Sequence, residues 1–193
     1  MEVNQEPSQR RGAKKIRFDN QELVKTSFWV SQIFMIIATV AGVYLAAQEG
    51  LSQAIKFDSL TNMQNNYHLQ HSLYEELKDN VAVMTAYTEL IEKEKPYNIK
   101  EYHPVMADFI WENMKYSAYT LETPSDILSG ARRFYMGSAD IVGKIERKFY
   151  GPSFGSKQLR SLIEEVETHT LPKLEQSYKK MADELKRAGI DVN

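Results

Sequence analysis

The sequence predicts an all-α protein: one N-terminal transmembrane helix followed by an antiparallel helical bundle. Three observations carry this. No charge occurs between Lys25 and Glu49. Apolar residues after that stretch recur three and four apart, the period of a helix face. No useful length of strand-like alternation appears anywhere. Four helices joined by short connections favour an up-down-up-down order. Because the second and third together about match the first, a three-layer bundle with one bent, broken return helix is the alternative.

Residues 1–27 are the first of three expected regions, a cytoplasmic basic tail that is partly disordered. It carries six basic residues against four acidic ones, with the basic cluster at 10–17. The rest of the chain carries 18 basic and 22 acidic residues, and the net charge is −2. That balance gives no support to a nucleic-acid binder. There is no cysteine, which excludes disulfides, zinc–thiolate sites and thiol catalysis.

The second region is the span over 28–48, FWVSQIFMIIATVAGVYLAAQ. About twenty helical residues rise ~30 Å, the thickness of a bilayer's hydrocarbon core. Phe28 and Trp29 suit the entry interface and Tyr44 the exit. A cleaved signal peptide would have a shorter apolar core and a better small-x-small site than Leu45-Ala46-Ala47, so the stretch reads as a signal anchor. Six lysines and arginines precede it, and only Lys56 follows closely. The positive-inside rule then predicts a single-pass protein with a cytoplasmic N-terminus and an extracytoplasmic C-terminal domain, periplasmic if the source is bacterial. Ala38, Gly42 and Ala46 are one turn apart and form a candidate contact face for another membrane helix.

The third region, 49–193, is the expected bundle domain, and its roughly 140 residues suffice for a core of their own. Its first helix continues from the span to about Lys95, with Gly50 the only breaker before Pro96. Leu60, Met63, Tyr67, Gln70, Tyr74, Leu77, Val81, Met84, Thr88 and Ile91 form a heptad seam of coiled-coil type. Pro104 is expected to open a second, well-buried helix carrying Val105, Phe109, Trp111, Met114 and Leu121. Thr123 is the expected cap of a third helix, with Pro124 at its first position and Asp126 as its capping acid. That helix carries Ile127, Ala131, Phe134, Ser138, Ile141, Ile145 and Phe149 on one stripe. Gly130 and Gly137, two turns apart, suggest close helix contact. Residues 151–155 read as a turn, Ser156 as the cap of a fourth helix, and Pro172 as its kink.

Candidate sites are few. His68, His71 and Glu75 share one side of the first helix and make a weak metal candidate. They lie in or beside an amide-rich run, NMQNNYHLQ, otherwise read as a solvated flank. Tyr67, Gln70 and Tyr74 share a face that could line a polar-aromatic ligand pocket. Arg132 and Arg133 belong to a basic side, read as pairing with Glu164, Glu165 and Glu167, with an anion site as the alternative. No cofactor motif, serine–histidine–acid order or paired-carboxylate motif stands out.

In its plan alone the chain is similar to the extracytoplasmic helical modules of bacterial sensor proteins. That resemblance implies sensing through a partner, because no second span or output domain is read in the sequence. The expected function is a non-catalytic accessory or sensing subunit that binds a partner protein or small ligand outside the cytoplasm. Its expected partners are the membrane and either another protein or a second copy of the chain. A structural part of an envelope complex, or a membrane-anchored enzyme, are the alternatives.

Overall fold

A computed structural model describes residues 26–192, so the tail expected over 1–27 lies almost wholly outside the described residues. All regular elements among the described residues are helical. The first, α1, runs Thr26–Lys93 without interruption. Gly50 does not break it. The chain divides into two units, Met1–Gln53 and Ala54–Asn193.

In the first unit the apolar side chains stand open: Phe34, Ile36, Val40, Val43 and Leu45 are all more than 60% exposed. The Thr39 hydroxyl donates to the Met35 carbonyl at 2.8 Å, so it is satisfied within its own helix. Among the described residues this is the one helix long and apolar enough to cross a membrane, with a window of mean hydropathy 2.0.

The second unit is a helical bundle whose core is drawn from α1, α3 (Ser125–Glu146), α4 (Pro152–Glu165) and α5 (Leu171–Arg187). The seam of α1 is buried from Tyr67 to Ile91, except that Tyr74 is half-buried. It is wider than a two-residue heptad seam: Asn66, Leu73, Glu76, Asn80 and Tyr87 are buried beside it. A helix enclosed by several neighbours buries a broad face, whereas a two-stranded coiled coil buries a narrow one.

The α3 stripe is buried as expected from Ile127 to Ile145. Phe149 is not, because α3 stops at Glu146 and the chain turns through Lys148 at φ 60°. Close contact explains two of its glycines. A Cβ on Gly130 would lie 2.2 Å from Thr170 Oγ1, and one on Gly137 would lie 2.8 Å from Leu162 Cδ1.

Several expected boundaries move. Thr123 does not cap α3; its hydroxyl is buried and accepts from Gln70 Nε2 at 3.4 Å. Pro124 takes the cap position instead, and Asp126 pairs with Lys173 at 2.5 Å. Residues 152–155 are helical rather than a turn, because Gly151 takes the cap position and Pro152 is pre-set for the first helical one. Ser156 therefore lies inside α4, donating to the Pro152 carbonyl at 2.8 Å. The break expected at Pro172 takes the form of a π turn over Val166–Thr170. A proline offers no N–H and crowds the carbonyl four residues back, and a wider turn before it relieves both. After α5, Gly189 adopts φ 84°, Ile190 N–H donates to the Leu185 carbonyl and Gly189 N–H to that of Lys186. This closes the helix with a Schellman motif.

The largest correction concerns the second helix. In place of a buried helix from Pro104 to Leu121 there is a 3-10 turn (Ile99–Tyr102), an extended stretch, the short α2 (Phe109–Met114) and another 3-10 turn (Ala118–Glu122). Val105, Phe109 and Leu121 are 81%, 73% and 91% exposed. The cause lies on α1. Asn80 offers both halves of its amide to the Ala107 peptide, accepting from its N–H at 2.8 Å and donating to its carbonyl at 2.6 Å. Backbone groups held in that way are not available to a helix.

Candidate ligand cleft

The expected pocket residues are packed rather than open. Tyr67 and Tyr74 both meet the ring of Tyr178, at centroid distances of 6.1 and 5.5 Å. His71 lies 4.8 Å from the same ring. Gln70 is buried; its Nε2 donates to Asn66 Oδ1 at 3.0 Å, and its Oε1 has no partner. The histidines do not converge with Glu75 on a common point. His68 is exposed and set edge-on to Tyr67, and His71 Nε2 is 3.9 Å from Glu75 Oε1. Among the described residues no group of three histidines or carboxylates is placed to hold a metal ion. Along Ala38, Gly42 and Ala46 the helix surface is open, and a Cβ on Gly42 would meet nothing within 4 Å.

The amide-rich run has a different use from the one expected. Asn65 donates to the Tyr119 hydroxyl at 3.0 Å, Asn66 to Glu122 at 3.3 Å, and Gln70 to Thr123 at 3.4 Å. These amides fasten residues 117–123 to α1. About two and three turns beyond Gln70, Glu76 and Asn80 fasten residues 107–111.

Glu76 is the centre of that second attachment. Its carboxylate is buried and accepts three hydrogen bonds: from Ile110 N–H at 2.7 Å, Trp111 N–H at 3.0 Å and the Tyr135 hydroxyl at 2.6 Å. The two N–H groups belong to the first turn of α2, where backbone donors have no partner in their own helix. Glu76 thus caps α2 from a different helix. Burial, and then the hydrogen bond to Glu76, push the Tyr135 phenol far above its ordinary range. It therefore stays protonated and acts as a donor.

The stack of Trp111 on Tyr135, at 5.2 Å and 13°, forms part of the wall of a cleft of about 640 Å³. Met84, Met106, Met136, Val142, Val105 and Ala139 add to its apolar surface. Charged groups complete the lining. His103 Nδ1 lies 2.5 Å from Glu146 Oε1, and Lys115 lies 2.6 Å from Glu112. Arg132 and Asp108 also line the cleft, and among the described residues neither makes an ion pair or a side-chain hydrogen bond. Of the expected basic side, Arg133 does pair with Glu165, at 2.7 Å, while its neighbour Arg132 faces the cleft.

The lining contains no serine, threonine or cysteine. The Tyr135 hydroxyl is committed to Glu76. Such a surface can hold a molecule by apolar contact and charge. Sequence reasoning missed the cleft because its walls come from residues 103–115 and α3, which only the attachments on α1 bring together. Trp111 and Tyr135 were visible as apolar positions; their stacking was not.

The chain matches no protein-family model, no curated protein and no solved structure.

Proposed function

We propose that this chain is a single-pass, membrane-anchored sensing or accessory subunit, non-catalytic, whose antiparallel bundle lies outside the cytoplasm and takes a small ligand in the cleft beside Trp111. The cleft carries the reading. Its volume of about 640 Å³ falls in the range of small-molecule sites, and its walls are mostly apolar with a few charged groups. The uncharged stretch of α1 supports the anchor, and the basic residues before it support the orientation. The ligand site moves from Tyr67, Gln70 and Tyr74, whose tyrosine rings already have a partner in Tyr178, to the open cleft.

Two measurements test this. Protease added outside spheroplasts should digest the domain after Gln48 and spare the N-terminal tail; a protected domain would overturn the topology. The full chain in lipid nanodiscs, melted against a small-molecule library, should gain several degrees with specific compounds. Ala139→Trp, at the cleft wall, should abolish those gains without lowering the unliganded Tm. A library without effect would remove the ligand reading.

A second reading has its own observation. Val105, Phe109 and Leu121 stand exposed on the segment that borders the cleft. Exposed apolar residues on one segment favour a protein partner there, as in an envelope complex. Co-purification that survives Ala139→Trp but is lost in Leu121→Asp would support it.

A further inference from the structure

Four of the cleft's charged side chains carry the argument: Lys115, His103, Arg132 and Asp108. Two of them already have partners of opposite charge or hydrogen-bonding character. Lys115 is held by Glu112 through two contacts, 2.6 and 2.7 Å. His103 is held by Glu146. Arg132 and Asp108 remain, one cation and one anion, each exposed, and each lining the cleft without an ion pair or side-chain hydrogen bond among the described residues. They do not pair with each other within 4 Å, the limit for an ion pair.

We infer that the cleft takes a small zwitterion with an apolar body, its carboxylate on Arg132, its ammonium on Asp108 and its body against Trp111, Tyr135 and Met136. An apolar α-amino acid has this chemistry. The inference rests on the ligand-cleft reading above and adds the class of ligand.

Charge decides against the simpler classes. A purely anionic ligand would gain Arg132 and face Asp108 uncompensated. A purely cationic ligand would gain Asp108 and face Arg132. A ligand with both charges satisfies both groups, and a guanidinium can hold a carboxylate through two parallel N–H donors. The apolar wall accounts for the rest of the molecule. Trp111 and Tyr135 stack on each other, so a flat or branched apolar body can lie against that wall beside Met136.

The test compares three probes that share one body: L-phenylalanine, 3-phenylpropanoate (the same molecule without the amine) and 2-phenylethylamine (the same without the carboxylate). Titration calorimetry on the full chain in nanodiscs should show phenylalanine, or leucine or tryptophan tested in parallel, binding at least about tenfold more tightly than either half-charged probe. Arg132→Gln should erase the preference over the amine and leave the preference over the acid. Asp108→Asn should do the reverse. Both side chains are exposed, so circular-dichroism melting of the variants should match the parent. If the acid or the amine binds as well as the zwitterion, the charge assignment is overturned and the ligand cleft stands. If none of the amino acids binds while other library compounds raise the Tm, the ligand class is overturned in the same way. If nothing binds at all, both fail together.

Discussion

Helix α3 and the segment over 94–124 are both rich in large apolar residues, and the fold treats them in opposite ways. In α3 the apolar residues recur at helical spacing and vanish into the core; Phe134 is 0% exposed. In the segment, Leu121 is 91% exposed and Val105 81%. Ile99 and Met114 enter the core, but much of what holds the segment is polar: Asn65, Asn66, Gln70, Glu76 and Asn80, all on α1, grip its backbone and side chains. The comparison teaches that apolar content alone does not say which part of a chain is buried. Periodicity does so where a helix packs by its side chains. It fails where a backbone is held from outside.

The sharpest test of this contrast is a pair of truncations. Phe134→Ala should cost about 3–5 kcal/mol, because it opens a cavity in a fully buried part of α3. Leu121→Ala removes a comparable apolar group from a position already in solvent and should cost less than about 0.5 kcal/mol. Chemical denaturation of the two variants, with equal slopes, measures both. Equal losses would mean that Leu121 is covered in the protein and that the two regions are not different in kind.

The same contrast explains what the sequence revealed. The α1 seam and the α3 stripe were legible because each burial position repeats every three or four residues. Gly130 and Gly137 were legible because glycines two turns apart in a helix interior need a reason, and Thr170 and Leu162 supply it. Pro104 misled because a proline that can open a helix also suits an extended strand, and only Asn80 decides between them. The polar seam residues were the most informative ones missed. A buried Glu76 and Asn80 on a helix face need partners, so they point to a backbone arriving from elsewhere. Of the candidate pocket residues, Tyr67 and Gln70 are buried and Tyr74 is half-buried. That Tyr178 would meet the two tyrosines was not legible, since no local pattern pairs residues about a hundred positions apart.

Removing the grip of Glu76 should break the segment while sparing α3. Glu76→Ala leaves the Tyr135 hydroxyl and the Ile110 and Trp111 N–H groups without their acceptor, at a cost of about 1–3 kcal/mol. Hydrogen exchange should accelerate at Ile110 and Trp111, with α3 amides still protected, and the Trp111 emission should shift as its stack on Tyr135 loosens. Glu76→Gln keeps one acceptor oxygen and should fall between the two. If α3 opens together with the segment, the two regions form one cooperative unit and the distinction disappears.

The smallest effect concerns Tyr87, a core residue of α1 with an unmatched polar atom. Its ring is 5% exposed and its hydroxyl has no hydrogen-bond partner. A buried donor without an acceptor costs free energy that its removal recovers. Tyr87→Phe should therefore be neutral or stabilising at pH 7, by up to about 1 kcal/mol. Alkali gives the signature. Burial, with the charge of Glu146 adding to it, pushes the phenol from 10.0 to about 12. Between those values the unfolded chain has released the proton and the folded chain has not, so the unfolded state is favoured as pH rises. This alkaline destabilisation is absent below pH 10.0 and complete by about pH 12. Phenylalanine cannot titrate, so the advantage of Tyr87→Phe should widen across that window. Denaturation at pH 7 and at a series of alkaline values measures the gap. A variant less stable at pH 7 would mean that the hydroxyl has an acceptor after all, and a constant gap in alkali would mean that the phenol titrates as it does in water. Either outcome would place Tyr87 among the solvated groups rather than with Phe134 in the dry core.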